Sequence, residues 1–125
     1  MTLVYVDTNV IMDFLEGRDK SAYDFFLSAI SCKYDILISD VVLRELDYQK
    51  QDYHSMLELL SKKLRFQNST KDQRNRVKSI LSVHNTHFND ALHGIVASDA
   101  NVDFFVTRNK KDFNFLENVR SCDEL

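Results

Sequence analysis

The residues VYVDTNV (4–10) decide the reading of this chain. With Leu3 before them, Val4, Tyr5 and Val6 make a short run of strand-forming apolar side chains, the kind buried on both faces of a parallel sheet. The run stops on a carboxylate, Asp7, followed by two small polar residues, Thr8 and Asn9. Helical spacing then takes over: Val10, Ile11, Phe14 and Leu15 share one face, and Gly17 marks the stop. Asp7 thus stands at the carboxyl end of a strand, the rim at which open α/β sheets hold their ligands. Asp is also a favoured helix N-cap. The acid is either a cap or one corner of a metal site.

The same hand-over recurs along the chain. DILISD (35–40) reads as a second strand and passes into the helix VVLRELDYQ, which carries Glu45 beside the apolar Val41, Val42 and Leu46. DFFVT (103–107) reads as the third clear strand, followed by TRNKKD and a short helix over KKDFNFLEN, with Asp112 near its start. Further helices are expected over Ser21–Ser31, 52–64, Lys71–Val83 and Asn89–Ala100, and VRSC (119–122) as a last edge strand. Strands separated by long helical stretches argue for an α/β fold, with a central parallel sheet and right-handed crossovers placing helices on both faces.

Composition narrows the classes. The 125 residues suit one domain over 1–125, and with no proline and two glycines there is no linker to divide it. No apolar stretch approaches the ~20 residues of a membrane span. The N-terminus lacks a secretory pattern. Cys32 and Cys122 are not spaced as a metal knuckle. A cytoplasmic protein with reduced thiols is expected. The net charge of −3 hides a split: seven basic residues against one acid between Lys62 and Lys78 leave −9 for the rest. Such a split sets a basic face for phosphates beside an acidic pocket.

In a parallel sheet Asp7, Glu45 and Asp112 come from separate segments to one rim. Asp90, early on the helix HFNDALHGIVA, joins them if that helix start points the same way. Crowded carboxylates repel and raise each other's pKa unless a divalent ion is present. Hard Mg²⁺ and Mn²⁺ ions take such oxygen ligands with water and substrate phosphate. His84, His87 and His93 have no cysteine near them to complete a zinc set, and His93 reads as a helix-surface histidine.

VYVDTNVIMDFL, then LREL with Glu45, then NDALHGIVA, then DFFVTRNKKDF resemble the PIN domain in order and spacing over nearly the whole chain. The likeness is greatest to the small single-domain toxins of VapBC-type toxin–antitoxin pairs. It implies a three-layer α/β/α fold and an endoribonuclease that uses Mg²⁺ or Mn²⁺ to hydrolyse RNA. It also implies a homodimer and an antitoxin partner that blocks the site. By resemblance Asp7, Glu45 and Asp90 are the first three metal-binding carboxylates, Asn9 is a polar neighbour, and Thr107 orients a carboxylate or water. Many members carry an acid two residues after that Thr, where this chain has Asn109; Asp112 is the residue that restores the charge. Arg108, Lys110 and Lys111 lie where a cleaved strand's phosphates would be gripped.

Two other phosphate-handling folds fit less well. A receiver domain wants adjacent acids after strand one, and a haloacid-dehalogenase phosphatase wants Asp-x-Asp, whereas position 9 is Asn. A housekeeping RNA-processing nuclease with the same site, or a catalytically inactive PIN-like binding module, stays open, because a fold does not fix a function.

Overall fold

The structure, a computed structural model, describes residues 2–125. Strand β1 (Leu3–Val6) occupies the centre of one sheet, which is why Val4, Tyr5 and Val6 are all fully buried. On one side it pairs in parallel with β2 (Asp35–Ser39), Tyr5 standing opposite Leu37. Beyond β2 lies β3 (Leu64–Gln67). On the other side β1 pairs with β4 (Phe104–Val106), Val6 opposite Val106, and β5 (Val119–Arg120) closes that edge. The order is β3-β2-β1-β4-β5, every pair parallel. The order reverses between β1 and β4, so the crevice at their carboxyl ends is the switch point where such sheets bind ligands.

Helices α1 (Thr8–Leu15) and α2 (Lys20–Ile30) connect β1 to β2 and pack on each other. Helices α3 (Asp40–Tyr48) and α4 (His54–Leu59) lead to β3. Helices α5 (Lys71–Val83) and α6 (Phe88–Asp99) return the chain to β4 as a packed pair. That return runs in the opposite direction across the sheet, so a right-handed crossover lays it on the opposite face. The result is the three-layer α/β/α arrangement expected from the sequence. Each helix start has a local cause: Asp7 caps α1, Asp19 caps α2, and Thr70 with Gln73 forms a reciprocal capping box on α5.

Three expected elements change. The helix over 52–64 shrinks to His54–Leu59, and Leu64–Gln67 is a strand. As an edge strand β3 buries little, with Phe66 49% exposed, so its four residues carried no apolar run and were absorbed into the leucines before them. The helix over KKDFNFLEN is only a 3₁₀ turn, Lys110–Phe113, anchored by the buried Phe113 ring against Phe105. The last strand is two residues long.

Candidate metal centre

The carboxyl ends of β1 and β4 and the starts of α3 and α6 meet at one rim. Asp7, 4% exposed, uses both oxygens: Oδ1 accepts from the Thr8 N–H at 2.8 Å and Oδ2 from the Thr107 hydroxyl at 2.8 Å. Capping and site are therefore the same fact, because the cap fixes the carboxylate at the switch point. Thr107, fully buried, is itself held by the Asn109 backbone N–H at 3.1 Å. Asn109 thus serves the cluster through its backbone.

Glu45 reaches the rim from the second turn of α3. Its Oε1 accepts from the Thr8 hydroxyl at 2.6 Å and lies 2.6 Å from Nε2 of His93, while Oε2 has only the Asn89 amide at 3.4 Å. His93 is the correction to the sequence reading. It is fully buried on α6, and its Nε2 also lies 3.9 Å from Asp7. Its Nδ1 is 2.6 Å from the Tyr5 hydroxyl, which sits 2.7 Å from Ser39 Oγ. A buried line of hydrogen bonds therefore runs Ser39–Tyr5–His93–Glu45, from the middle of the sheet to the acid cluster.

Electrostatics follow from this geometry. Burial pushes the Asp7 carboxyl above its ordinary range, against the pull of His93 and the Thr107 bond. Asp90, half-buried and without a hydrogen-bond partner among the described residues, is pushed up to about 6 by burial and then by the charges of Asp7, Asp112 and Glu45. For Glu45 burial also pushes upward, but the bonds to His93 and Thr8 outweigh it and the net direction is down. For His93 burial favours the neutral ring, yet the Glu45 bond and the surrounding acids carry its pKa above the ordinary value. One imidazolium is the internal counter-charge for a group of four carboxylates.

The donor set suits a hard cation: carboxylate oxygens, with Asp90 unbonded and Asp7 and Asp90 both driven toward protonation by crowding. Among the described residues no three acids or histidines already converge as a ready-made cage. Glu45 is turned toward His93 and Thr8, so a cation would draw on its freer oxygen, Oε2. Asp112 lies on the 3₁₀ turn, its N–H bonded to the Asn109 carbonyl, near enough for its charge to raise Asp90.

The remaining sequence candidates are placed differently. Asn9 is half-buried in the first turn of α1 with no side-chain hydrogen bond among the described residues. Arg108 bonds Asp13, a fully buried acid that the sequence reading missed, at 2.7 Å, with Arg18 at 3.3 Å on the same oxygen. Lys110 is paired with Glu124 at 2.7 Å, while Lys111 is exposed. Asp13 follows the stripe Val10, Ile11, Phe14 closely enough that its burial was the available signal.

A sequence model of the PIN domain matches residues 3–111. The chain belongs to the PIN domain family. PIN-domain structures surround it in shape as well. A toxin–antitoxin complex from Klebsiella pneumoniae superposes with a TM-score of 0.70 at 20% identity, over 95% of this chain and 97% of that one. VapBC2 from Rickettsia felis, bound to a DNA fragment from its promoter, gives 0.71 at 22% identity over 96% and 98%. VapC20 from Mycobacterium tuberculosis, described as a Sarcin-Ricin loop cleaving toxin, gives 0.65 at 19% over 82% and 86%. At these identities the likeness is one of fold. No curated protein matches significantly.

Proposed function

We propose that this PIN domain is a VapC-type toxin, an endoribonuclease that hydrolyses RNA phosphodiester bonds with Mg²⁺ or Mn²⁺. The observation that carries the reading is the gathering of Asp7, Glu45 and Asp90 at the switch point, with Asp90 lacking a partner and pushed up to about 6. Asp7, Glu45, Asp90 and Asp112 would hold the ion. Bound there, it supplies a Lewis acid for a phosphodiester and lowers the pKa of a water.

The chain's own residues set the rest. Thr8 and Thr107 fix the two most buried carboxylates by donated hydrogen bonds, so their remaining lone pairs have one direction. His93 clamps one oxygen of Glu45 and leaves the other toward the rim. Unbonded and half-exposed, Asp90 is placed to take a proton from attacking water.

The structural neighbours titled as toxin–antitoxin assemblies support an antitoxin as the partner that closes this rim, and a homodimer as the assembled form. A cytoplasmic location agrees with the absence, among the described residues, of any helix long and apolar enough to cross a membrane.

The deciding experiment is cleavage of a mixed single-stranded RNA pool by antitoxin-free protein with Mn²⁺, Mg²⁺ or EDTA. Cutting that needs the ion and is lost in Asp7→Asn supports the nuclease. Absence of cutting by folded protein with either ion assigns the chain to the PIN-like binding modules instead.

A further inference from the structure

Four residues of α3 form one helical stripe, Val41, Arg44, Glu45 and Tyr48, as spacings of three and four dictate. With Gln49 and Asn89 they line an open groove of about 500 Å³ that begins at Glu45 and leads away from the acid cluster. Val41 is its buried floor. Tyr48 is 84% exposed, an aromatic ring on the wall with no aromatic neighbour among the described residues.

Arg44 is held at the mouth of this groove by Asp40, whose Oδ2 accepts from the guanidinium at 2.9 Å. The same carboxylate accepts from the Ser69 backbone N–H at 2.5 Å and the Ser69 hydroxyl at 2.9 Å. On the far side of Ser69, Arg74 donates to the serine carbonyl and hydroxyl at 3.3 Å. Two guanidinium groups thus flank one Asp40–Ser69 latch, beyond the carboxyl ends of β2 and β3.

Their charge is not balanced. Asp40 is the only carboxylate in the latch, and Arg74 rests on neutral oxygens alone. In the same basic segment Lys63 and Arg65 are paired with Asp35, and Arg76 with Asp99 and Asp72. Lys71, exposed at the start of α5, adds a further cation nearby in sequence. Of the chain's basic cluster, this is the part left free to meet an anion.

We propose that Arg44 and Arg74 bind the backbone phosphates, and Tyr48 stacks a base, of the single-stranded RNA segment that leaves the acid cluster on the β3 side. The proposal rests on the ribonuclease reading. Its chemistry is that of single-strand binders, in which arginines track phosphates and an exposed ring accepts any base face. The amides of Gln49 and Asn89 stand beside the ring as donors and acceptors for a base edge.

The test is fluorescence anisotropy of a short labelled single-stranded RNA in EDTA, where nothing is cut. Tyr48→Ala is expected to weaken binding about tenfold, and Tyr48→Phe to restore it, since stacking needs the ring and not the hydroxyl. Arg44→Gln and Arg74→Gln are each expected to lower the slope of log affinity against log salt by about 0.7, one released counterion per lost phosphate contact. All four sites are exposed or half-exposed, and thermal melting checks that each variant is folded. Equal affinity and equal slopes across the variants overturn the proposal. Asp7→Asn keeps the whole path and is expected to bind RNA without cutting it. A wild-type protein that neither binds nor cuts RNA instead overturns the nuclease reading, and this proposal with it.

Discussion

His93 Nε2 lies 2.6 Å from Glu45 Oε1 in a spot where the imidazole has no solvent exposure. The contact joins a buried ring to the half-exposed edge of an acid cluster, and both partners' pKa values move as an ion pair requires: His93 up, Glu45 down. Either protonation state leaves the line satisfied. A neutral ring accepts from the Tyr5 hydroxyl, which accepts from Ser39; a protonated ring donates to Tyr5, which donates to Ser39.

His93→Leu is therefore expected to destabilise the fold by about 1–3 kcal/mol, because Tyr5 and Glu45 lose buried partners together. The sign with pH is fixed by the raised histidine. Its contribution is complete below the unfolded value of about 6.5 and is lost as pH rises through the higher folded value. Urea denaturation of both proteins on either side of that window reads the effect. A gap that stays constant from pH 6 to alkaline pH would mean that the ring is neutral throughout.

Asp90 carries the opposite sign. Its folded pKa of about 6 stands above the ordinary 3.8, so its ionisation works against the fold. The stability associated with its protonated form is present below 3.8 and lost as pH rises toward and through 6. Asp90→Asn is expected to stabilise the metal-free protein at pH 7 by about 1 kcal/mol, the value left after allowing for solvent around a half-exposed group. At pH 4 the two proteins should melt together. The same variant should lose the stabilisation that Mn²⁺ gives the wild type, which separates a metal ligand from a merely crowded acid.

How much of this was readable beforehand varies with burial. LVYV and DILIS announce themselves because central parallel strands are apolar on both faces, and the acids at their ends mark the rim. LRFQ does not, since an edge strand alternates and its polar residues face water. His93 is the instructive miss. Residues 91–97 of α6 are all buried, so a histidine among Ala91, Leu92, Gly94, Ile95, Val96 and Ala97 has no water to face and must have a polar partner. The partner, Tyr5, is a hydroxyl in the middle of the most buried strand, far away in sequence, and only the sheet brings the two together.

Thr107→Val keeps shape and removes a hydroxyl that donates to Asp7 Oδ2 and accepts from the Asn109 N–H. Two buried groups are then left unpaired, and a loss of about 1–3 kcal/mol is expected. With its carboxylate freed to rotate, Asp7 should bind Mn²⁺ more weakly, a change that calorimetric titration reads without any cleavage assay. Thr107→Ser, which returns the hydroxyl, should restore most of the affinity. If Ser and Val behave alike, the hydroxyl does not orient Asp7.

Arg108 discriminates between holding RNA and holding the fold. Its guanidinium sits 2.7 Å from Asp13, a carboxylate only 2% exposed whose other cation, Arg18, is more distant at 3.3 Å. Removing one partner of a buried charge leaves that charge uncompensated. Arg108→Ala is expected to lower stability by about 1–2 kcal/mol, less than for a fully buried pair because Arg18 remains and Arg108 is half-exposed. Double substitution with Asp13→Asn should recover much of that loss. Salt-dependence of RNA binding should be unchanged, in contrast to Arg44→Gln and Arg74→Gln. A reduced salt slope for Arg108→Ala with unaltered stability would move this arginine from the scaffold to the substrate path.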